Sequence, residues 1–523
     1  MAVSCTYYFF AVEVKIELNL LDKEKEVDLM SPNGKASPFS ECRLNGSLGH
    51  CSDEDTMTLR PHRKHRDNIE ASVCHVKDLE NGQMREVDLG AGRALLIKEH
   101  GEFFAMGHNL GYQYLPTFEV RVEKEKVIIR ANKQALQTQR RSKAMSKCSA
   151  VINSSTGFSH VLIIGSGPAG LVCAETLRQE GFTDRIVMCT MDKHLPYDRP
   201  KLSKSTAEQL QLRSSDFFQT YDIEILLEKE AVSVDVKTRT VTFRDGFKIE
   251  YRKLFIATGS RPKPLSYKGK DVGNVFHLRT PEDANSIATL ASSKNAVIVG
   301  TSFIGMEVAA ALTDKAHSVS VIGIEAVPFR KAFGEKVGKA LMKLFESNRV
   351  KFYMLNEFSE VPATAFLKQS GVHMDSKGFI PVNKTMQTNI DGVFAGGDVV
   401  TFPLALRSNK KVNIPHWQMA HVHGRVAALS MMGKASDIKT VPYFWTAMFG
   451  KSIRYAGYGD GFDDVVIQGD LDELKFVAFY TKSEEVVAVA SMNYDPIVSR
   501  VAEVFGSGKT IRKRDCGNMT YIF

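Results

Sequence analysis

The feature that most constrains this chain is a glycine-rich turn directly after an apolar strand. Residues 161–164 read Val-Leu-Ile-Ile, and the turn that follows has glycines at three fixed positions, Gly165, Gly167 and Gly170. The first permits a tight turn, the second lets the backbone approach a pyrophosphate, and the third lets helix and strand pack closely. The amides and dipole of the next helix, expected over 171–180, favour phosphate at its N-terminus. The turn therefore predicts a dinucleotide-binding α/β domain.

The same order of strand, glycine turn and helix occurs a second time. An apolar strand over 296–299 leads into a turn that begins at Gly300 and ends at Gly305, with Ser302 in place of the middle glycine. Because a serine makes close approach of a pyrophosphate less easy, this turn predicts a second, weakened dinucleotide site. Alternating strands and helices of this kind predict parallel sheets with covering helices.

Each dinucleotide site is expected to have a carboxylate near the end of its second strand, where it binds a ribose. After the first turn, that strand runs into Asp192, which either binds ribose or is only a turn residue. After the second turn, the strand ends at Gly323, and Glu325 follows two residues later. The sequence leaves NAD versus NADP open, since Gly323 offers no carboxylate and Arg330 is only suggestive of NADP.

Composition excludes several classes of protein. The 523 residues are 43% hydrophobic and 24% charged, as in globular proteins, and suggest about three or four domains. Lys and Arg (68) exceed Asp and Glu (60) too slightly to indicate specific nucleic-acid binding. The eight cysteines form no Cys-x-x-Cys pair, which argues against a zinc ribbon or redox dithiol and favours a reducing compartment. No apolar run reaches about 18 residues, and the start lacks the pattern of a signal peptide.

The region before the first turn divides into three parts by composition. We expect residues 1–69 to be disordered, because residues 31–69 are polar and turn-rich, although the apolar start could also form a simple strand. Short alternating strands with turn signals predict a small all-β module over 70–131. A polar stretch over 132–157, which contains Arg140-Arg-Ser-Lys143, predicts a flexible basic linker, with weak attraction to acidic surfaces as the alternative.

The later part of the chain gives clear element signals. Thr280, Pro281 and Asp283 are typical of a helix start, with a side-chain cap, a proline at the first helical position and an acid reaching back. Alternating segments from Val441 onward predict a return to antiparallel sheet, followed by a helix near 495–505.

Two further segments place chemical groups at strand ends. Ala257 and Gly259 follow one strand, and Asp398 follows a Gly-Gly pair after another, where a carboxylate can accept hydrogen bonds from a polyol chain. Together with the two turns, these segments resemble the FAD-dependent pyridine-nucleotide oxidoreductases over roughly residues 158–510. The resemblance implies an α/β fold with two Rossmann-like FAD/NAD(P)-binding domains, preceded by a small Rieske-like all-β module and followed by an α+β C-terminal domain.

The resemblance also implies domain limits and a set of cofactor-binding residues. The FAD-binding domain would span 158–279 and 375–440, the NAD(P)-binding domain 280–374, and a dimerisation or interface domain 441–523. The residues that match the family's cofactor-binding positions are Gly165, Gly167, Gly170, Asp192, Ala257, Gly259, Gly300, Gly305 and Asp398.

Three segments narrow the resemblance to the apoptosis-inducing-factor family. They read LPYDRPKLSK from Leu195, NIPHWQMA from Asn413 and VPYFW from Val441. Residues 77–87 also match the start of the Rieske domain in a mitochondria-associated branch of that family. On this resemblance, Lys204 and Glu307 would form a catalytic pair beside the flavin, where a lysine stabilises negative charge on reduced flavin. A surface salt bridge is the alternative for this pair.

The same segments supply three further residues. The resemblance implies that Arg199 contacts the FAD phosphates and that His416 and Trp445 lie near the isoalloxazine or nicotinamide. The helix after Pro415 would point its N-terminal dipole toward the carbonyl edge of the flavin. No metal-binding residues are predicted.

The chain departs from the family in the all-β module. A Rieske cluster needs two thiolates and two imidazoles, as Cys-x-His and Cys-x-x-His pairs on two loops. Here no cysteine occurs between Cys74 and Cys148, and His108 alone cannot hold a cluster. A 2Fe–2S cluster is expected of the relatives, but its ligands are absent from this chain, so we predict that it binds none.

A second departure follows Glu360. The family has a β-hairpin and a buried strand before the loop that contains Pro362, and this chain passes directly to that loop. The missing segment would complete the NAD-domain sheet, and an unpaired sheet edge is an aggregation liability. Exon loss and divergence both explain such a gap.

The leading hypothesis is an FAD-dependent NAD(P)H oxidoreductase that passes electrons to an unidentified acceptor, with an apoptosis-related role implied by the resemblance. The alternative is a catalytically weak or inactive flavin-binding, pro-apoptotic interaction protein, which Ser302, Gly323 and the gap favour. A disulfide reductase is not expected, because 193–204 contains no cysteine pair. The chain is expected to be cytoplasmic or mitochondria-associated, without a transmembrane segment, and could form a homodimer.

Overall fold

The computed structural model describes residues 13–17, 68–81, 84–90, 92–99, 101–107, 117–132, 144–149, 158–202, 210–261, 274–354, 361–434 and 436–517. The chain divides into two compact units, one of residues 20–143 and the other of residues 1–19 with 144–523. Strand β1 (Glu13–Glu17) belongs to the larger unit. Lys204, His108, the junction 355–360 and most of 31–69 lie outside the described residues.

The smaller unit is an antiparallel sheet. Its strands are β2 (Asn68–His75), β3 (Met84–Asp88), β4 (Arg93–Glu99), β5 (Glu102–Gly107), β6 (Thr117–Glu123) and β7 (Lys126–Asn132). They lie side by side in the order β2-β7-β6-β5-β4-β3, and alternate apolar side chains such as Leu96, Val127 and Ile129 are buried on one face. The predicted all-β module is therefore confirmed, but β2 begins inside the stretch expected to be disordered through residue 69.

A mostly parallel sheet forms what we call the first α/β half, residues 158–261 with 361–434. Its strands are β8 (Phe158–Ile164), β9 (Ile186–Cys189), β10 (Ile223–Leu226), β11 (Ala231–Asp235), β12 (Thr240–Phe243), β13 (Lys248–Ile256) and β21 (Val393–Ala395). Strands β10, β9, β8, β13 and β21 are parallel and adjacent in that order, and β12 and β11 extend the sheet beside β13. Helix α1 (Pro168–Gln179) follows β8, and α2 (Ser215–Thr220) precedes β10.

The second α/β half comprises residues 274–354 together with β1. Its elements are β15 (Val275–His277), α3 (Pro281–Leu290), β16 (Asn295–Val299), α4 (Phe303–Leu312), β17 (Ser318–Gly323), α5 (Arg330–Ser347) and β18 (Val350–Met354). Strands β16, β17 and β18 are parallel neighbours. Helix α3 begins as predicted, because Thr280 Oγ1 accepts from the Asp283 amide while Asp283 Oδ2 accepts from the Thr280 amide. The fold class expected from the two glycine turns is confirmed.

The edge of β16 that faces away from β17 is paired. Strand β1 lies between β15 and β16, antiparallel to both. Five residue pairs, from Glu13 opposite Val299 to Glu17 opposite Asn295, join β1 to β16. The expectation of disorder over 1–69 is therefore also wrong for 13–17. The physical reason for the pairing is that the edge of a sheet presents unpaired backbone donors and acceptors, and these can form hydrogen bonds with any extended segment that reaches them.

The chain after residue 360 returns to the first half. Its elements are β19 (Val361–Pro362), β20 (Ile380–Pro381), β22 (Val400–Leu404), β23 (Lys410–Val412) and α6 (Trp417–Met431), and β19 pairs with β14 (Ser260–Arg261). Leu367 and Val372 are buried in the core of the first half. The domain limit expected at residue 375 therefore lies too late, because apolar side chains before it pack in the first core.

The C-terminal region is an antiparallel sheet with one helix. Its elements are β24 (Tyr443–Met448), β25 (Lys451–Gly457), β26 (Asp464–Asp470), β27 (Lys475–Lys482), β28 (Glu485–Met492) and α7 (Ile497–Gly506). The sheet order is β24-β25-β28-β27-β26, and Phe444 and Tyr455 contact Phe333 of α5. In the described part of the chain, no helix has both the length and the apolar character needed to cross a bilayer.

Candidate functional site

The first glycine turn connects β8 to α1 with backbone that only glycine accommodates. Gly165 has φ +110°, and a Cβ there would lie 2.3 Å from the carbonyl oxygen of Ala257. A Cβ at Gly170 would lie 2.0 Å from the oxygen of Gly165. Gly167 is the N-cap of α1, with Pro168 at the first helical position. The start of α1 is thus held closely against the ends of β8 and β13, and its first amides have no acceptor within the helix.

Asp192 is part of a hydrogen-bonded loop after β9. Its Oδ1 accepts from the His194 amide at 3.2 Å, and its Oδ2 accepts from the Tyr197 hydroxyl at 2.9 Å. Arg199 Nη2 lies 3.5 Å from the same Oδ2, and the Asp192 side chain is only 10% exposed. Of the two roles predicted for Asp192, these contacts favour the structural one, because its oxygens already bind groups of its own loop.

Arg199 lies beside the glycine turn. A Cβ at Gly167 would lie 3.3 Å from Arg199 Nη1, so the guanidinium is next to the place where a pyrophosphate would sit. Burial lowers the pKa of Arg199, but the neighbouring Tyr197, Asp192 and Asp398 together raise it above its ordinary value. The guanidinium is therefore a fixed positive charge.

Asp398 and Ala257 lie where the central strands of the first half end. The Gly396 amide donates to the Ile256 carbonyl, which brings the Gly-Gly-Asp turn against the end of β13. Asp398 Oδ2 accepts from the Ser260 hydroxyl at 3.4 Å. Burial raises the pKa of Asp398, while Arg279, Arg199 and the Ser260 bond act to lower it. A half-buried carboxylate with remaining acceptor capacity can bind the hydroxyls of a polyol.

The N-terminus of α6 lines the same cleft as Asp398. His416 is its N-cap, and its Nδ1 accepts from the Gln418 amide at 3.3 Å. Burial lowers the pKa of His416 to about 4, so the imidazole is neutral at neutral pH. Gln418 Oε1 accepts from the Tyr443 amide at 3.0 Å, which ties the start of α6 to β24.

The second glycine turn repeats the backbone of the first. Gly300 has φ +121°, and a Cβ at Gly305 would lie 2.0 Å from the oxygen of Gly300. Ser302 is the N-cap of α4, but its hydroxyl is buried without a hydrogen-bond partner among the described residues. The serine side chain therefore does not cap α4, and its hydroxyl can form a hydrogen bond with a ligand at the N-terminus of this helix.

Glu307 is on α4 and faces β24. The Thr446 hydroxyl donates to Glu307 Oε1, and the adjacent Trp445 is 39% exposed. Lys204, its expected partner, lies outside the described residues, so the Lys204–Glu307 pair stays a prediction.

One cleft collects these residues. Its walls include Pro168 after the first turn, Ser302 in the second, Asp398, His416 and Trp445. The arrangement fits two dinucleotides that meet between the turns, because each turn leaves no room for a Cβ at its glycines and the Ser302 hydroxyl has no partner among the described residues. In the parts of the chain that the structure describes, no group of three or more His, Cys, Asp or Glu side chains could hold a metal ion.

Two contributors were missed from the sequence. His423 is buried in α6, and its Nδ1 accepts from the Gly397 amide at 3.1 Å, which fixes the turn before Asp398. Thr446 was missed because a threonine on a strand carries no distinctive pattern. The only available signal for His423 was a histidine among apolar residues of a helix, which is more often a core residue.

The comparisons with known proteins agree with this geometry. The family described as pyridine nucleotide-disulphide oxidoreductase matches residues 159–363 and 360–424, and the reductase C-terminal family matches 443–520. The first match is in two segments whose junction coincides with the expected gap after Glu360.

Individual relatives extend the comparison. Apoptosis-inducing factor 3 of Homo sapiens is 56% identical over 578 aligned residues, covering 96% of this chain and 95% of the relative. That length exceeds the 523 residues here, as it must if this chain lacks segments that the relative has. A benzene 1,2-dioxygenase system ferredoxin–NAD(+) reductase subunit of Pseudomonas putida is 28% identical, covering 66% of this chain and 92% of its own.

A solved structure shows the same fold. The covalent putidaredoxin reductase–putidaredoxin complex aligns with TM-score 0.65 at 23% identity, covering 69% of this chain and 96% of that chain. The two α/β halves, their glycine turns and the cleft that both halves line agree with the family and structure matches. The chain belongs to the pyridine nucleotide-disulphide oxidoreductase family, as an FAD-dependent NAD(P)H oxidoreductase.

Proposed function

We propose that this chain transfers electrons from NAD(P)H through FAD to a ferredoxin-type iron–sulfur acceptor. The observation that carries the proposal is the single cleft onto which both glycine turns, Asp398 and the start of α6 open. Relatives named as ferredoxin reductases support the class of acceptor. FAD, when bound, would accept hydride and release electrons singly, which no side chain can do.

The residues of the first half would bind and orient the flavin cofactor. Gly165, Gly167 and Gly170 would hold the pyrophosphate at the start of α1, with Arg199 beside it as counter-charge. Asp398 would accept hydrogen bonds from the ribityl chain, with Ala257 and Gly259 as the adjacent backbone. In this proposal Asp192 supports Arg199 and Tyr197 rather than a ribose.

Other residues would shape the reactive end of the cleft. The N-terminal dipole of α6 would favour negative charge at the flavin carbonyl edge, and neutral His416 would add no charge there. Trp445 would cover one face, Gly300 and Gly305 would bind the pyridine nucleotide, and Lys204 and Glu307 would form an ion pair at the reactive edge. Thr446 would orient the Glu307 carboxylate through its hydrogen bond.

An anaerobic titration tests the proposal. The purified chain should show a flavin spectrum that NADH or NADPH bleaches, and the reduced protein should then reduce a ferredoxin. A bound flavin that neither nucleotide reduces would leave the catalytically weak flavin-binding protein as the better description. That alternative draws on Ser302, Gly323 and the gap after Glu360.

We also propose, by resemblance alone, that the all-β module is Rieske-like but holds no 2Fe–2S cluster. Reconstitution followed by iron and acid-labile sulfide analysis should find no stoichiometric cluster, and finding one would contradict this proposal.

An apoptosis-related role, mitochondrial association and a homodimer that uses the C-terminal region are proposed on the same resemblance. A cell-death assay, with a Gly165→Ala control that is expected to lose flavin, tests the first. Cell fractionation tests the second, and sedimentation measurements test the third.

A further inference from the structure

The loop that follows β9, residues 190–199, contacts the second α/β half as well as the first glycine turn. This segment, which we call the β9 loop, ends at Arg199, beside the place where a pyrophosphate would sit. Two side chains earlier in the loop reach helix α3. His194 Nε2 lies 2.7 Å from Glu282 Oε1, and Lys193 Nζ lies 3.1 Å from the same oxygen. One carboxylate of the second half therefore binds two side chains of the loop that carries Arg199.

Tyr197 forms a further contact between the β9 loop and the second half. It belongs to a small buried cluster against which two apolar side chains of the second half pack, Leu278 and Ala284. The Tyr197 hydroxyl accepts from Arg199 Nε at 3.3 Å and lies 3.3 Å from the Arg279 carbonyl oxygen. One side chain thus contacts both the arginine beside the first glycine turn and the backbone that leads into α3.

Helix α3 extends from the β9 loop into the core of the second half. Its first turn includes Glu282 and Ala284, which contact the loop and its cluster. Farther along the helix, Ile287 is buried in the same core as Met306 of α4, the helix that begins at the second glycine turn. Because close-packed interiors transmit displacements, a shift of α3 against the β9 loop would also move α4.

Glu282 is an anion at this contact. It lies in the first turn of α3, where the helix dipole favours a carboxylate. Partial burial acts to raise the pKa of Glu282, but its own amide and the His194 and Lys193 side chains together lower it to about 2. The Glu282 side chain is 45% exposed, and ion pairs with that exposure contribute little to folding stability. The contact is therefore better suited to orienting the two halves than to holding either half folded.

The orientation of the two halves matters for the chemistry of the cleft between them. The chain passes from one half to the other twice, through 262–273 and 355–360. Units joined in this way move relative to one another unless contacts between them prevent it. Hydride transfer needs its reacting atoms about 3–3.5 Å apart, so a small rotation of one half would slow it.

We propose that Glu282 is a positioning residue for hydride transfer, which holds α3 and the second half against the β9 loop so that a bound nicotinamide reaches the flavin. The residue touches neither ligand and acts through Lys193 and His194. This inference rests on the proposed function of the cleft, and it adds the contact that orients the two walls of that cleft.

Stopped-flow reduction tests the inference by separating rate from binding. Glu282→Gln removes the charge and keeps the shape of the side chain. The rate of flavin reduction at saturating nucleotide should fall about fivefold, the effect of one exposed ion pair on a transition state. Flavin content and the dissociation constant of the nucleotide should stay unchanged, because both glycine turns are intact. Glu230→Gln is the matched control, because Glu230 pairs with Arg244 within the first half.

Reversing the pair separates a specific contact from a general loss of charge. Glu282→Lys should slow reduction more than Glu282→Gln, because it places an ammonium beside Lys193 and His194. Adding Lys193→Glu to Glu282→Lys should recover part of the rate, as expected for two side chains in direct contact. A double variant no faster than Glu282→Lys alone would overturn the proposal, as would a weaker nucleotide affinity in Glu282→Gln with an unchanged rate.

Hydrogen exchange supplies a readout that needs no turnover. In the flavin-loaded protein without nucleotide, the amides of 274–290 should exchange faster in Glu282→Gln than in Glu230→Gln, because α3 is held less firmly. Faster exchange at an unchanged reduction rate would make Glu282 a structural contact only and overturn the positioning role. A lower rate without faster exchange would also overturn it, since Glu282 would then not act through α3.

The two measurements distinguish failure of this inference from failure of the proposed function. If neither nucleotide reduces the flavin of the unaltered protein, the proposed function fails, and the exchange comparison still decides whether Glu282 holds α3 to the β9 loop. If the unaltered protein is reduced and Glu282→Gln matches it in both rate and exchange, the inference fails and the function stands.

Discussion

The two α/β halves use the same strand, turn and helix but differ in what surrounds the turn. In both, the first glycine has positive φ, its amide donates to the end of the neighbouring strand, and the third glycine touches the first. In the first half the middle position is Gly167 beside Arg199. In the second it is Ser302, whose hydroxyl has no hydrogen-bond partner within the described part of the chain. The backbone geometry of a turn is thus local, while its ligand contacts depend on groups from elsewhere.

The ends of the second strands differ as well. Asp192 is bound by Tyr197 and Arg199 of its own loop, whereas Gly323 is covered by Thr301. Neither end presents the free carboxylate that the motif predicts. A site of this family can therefore be recognised from its turn, but its nucleotide preference depends on side chains that the motif does not contain.

The largest expected effect comes from adding a Cβ at the last glycine of each turn, and it distinguishes the ligand of the first turn from that of the second. Gly170→Ala and Gly305→Ala each place a Cβ 2.0 Å from a backbone oxygen that cannot withdraw, so each should cost about 4 kcal/mol or more of unfolding free energy. Gly170→Ala should lose flavin absorbance, while Gly305→Ala should keep flavin and lose nucleotide binding. Gly181→Ala just after α1 is a control for positive φ alone, since no described residue other than its chain neighbours has an atom within 4 Å of the added Cβ. Loss of flavin in both turn variants would contradict separate roles.

Acid should affect the first half through His423. Burial lowers the pKa of His423 to about 3, whereas its unfolded value is near 6.5. Above pH 6.5 the group is neutral in both states. Below it only the unfolded chain takes up the proton, so stability falls as pH decreases toward 3, by about 3 kcal/mol at pH 4.

His423→Asn keeps an acceptor for the Gly397 amide but does not titrate. Denaturant unfolding followed by flavin release at pH 7 and pH 4 should show a smaller acid loss in this variant. Equal acid losses in the two proteins would show that His423 is not the group responsible.

An intermediate effect concerns the sheet edge of the second half. Deleting residues 1–19 removes β1 and leaves the β16 edge unpaired, which should cost about 2 kcal/mol in lost backbone hydrogen bonds. Nucleotide affinity should fall and aggregation should increase, while flavin content stays constant. A chain in which Val14 and Ile16 are both changed to proline keeps the length and should reproduce the loss. Unchanged stability in both would show that β1 contributes nothing to the sheet.

The smallest effect concerns the middle position of the second turn. Ser302→Ala removes a hydroxyl placed at the N-terminus of α4 and should weaken nucleotide binding about fivefold, the value of one neutral hydrogen bond. Ser347→Ala at the end of α5 is the matched control, because its hydroxyl donates to the Leu344 carbonyl of its own helix. Tighter binding after Ser302→Ala would mean that the hydroxyl obstructs the pyrophosphate, as the sequence alone suggests.

Much of the fold was predictable, because the signals for it are local. The glycine turns, the Thr280 cap and the alternating strands of the β module specify nearby backbone, and each occurs where it was predicted. Which distant segments pack or pair with one another was not predictable from the sequence. The placement of β1 beside β16 and of 361–374 in the first core joins segments far apart in sequence.

The candidate site divides in the same way. The sequence by itself determined two dinucleotide turns. At Gly165 the φ of +110° and the lack of space for a Cβ both require glycine, and at Gly305 the lack of space alone requires it. Only the tertiary structure decided that Asp192 binds its own loop, that His423 holds the turn before Asp398, and that Thr301 fills the space beside Gly323. The physical reason is that a turn's backbone depends on its own residues. The charge, space and hydrogen-bond partners around a ligand depend on side chains that only folding brings together.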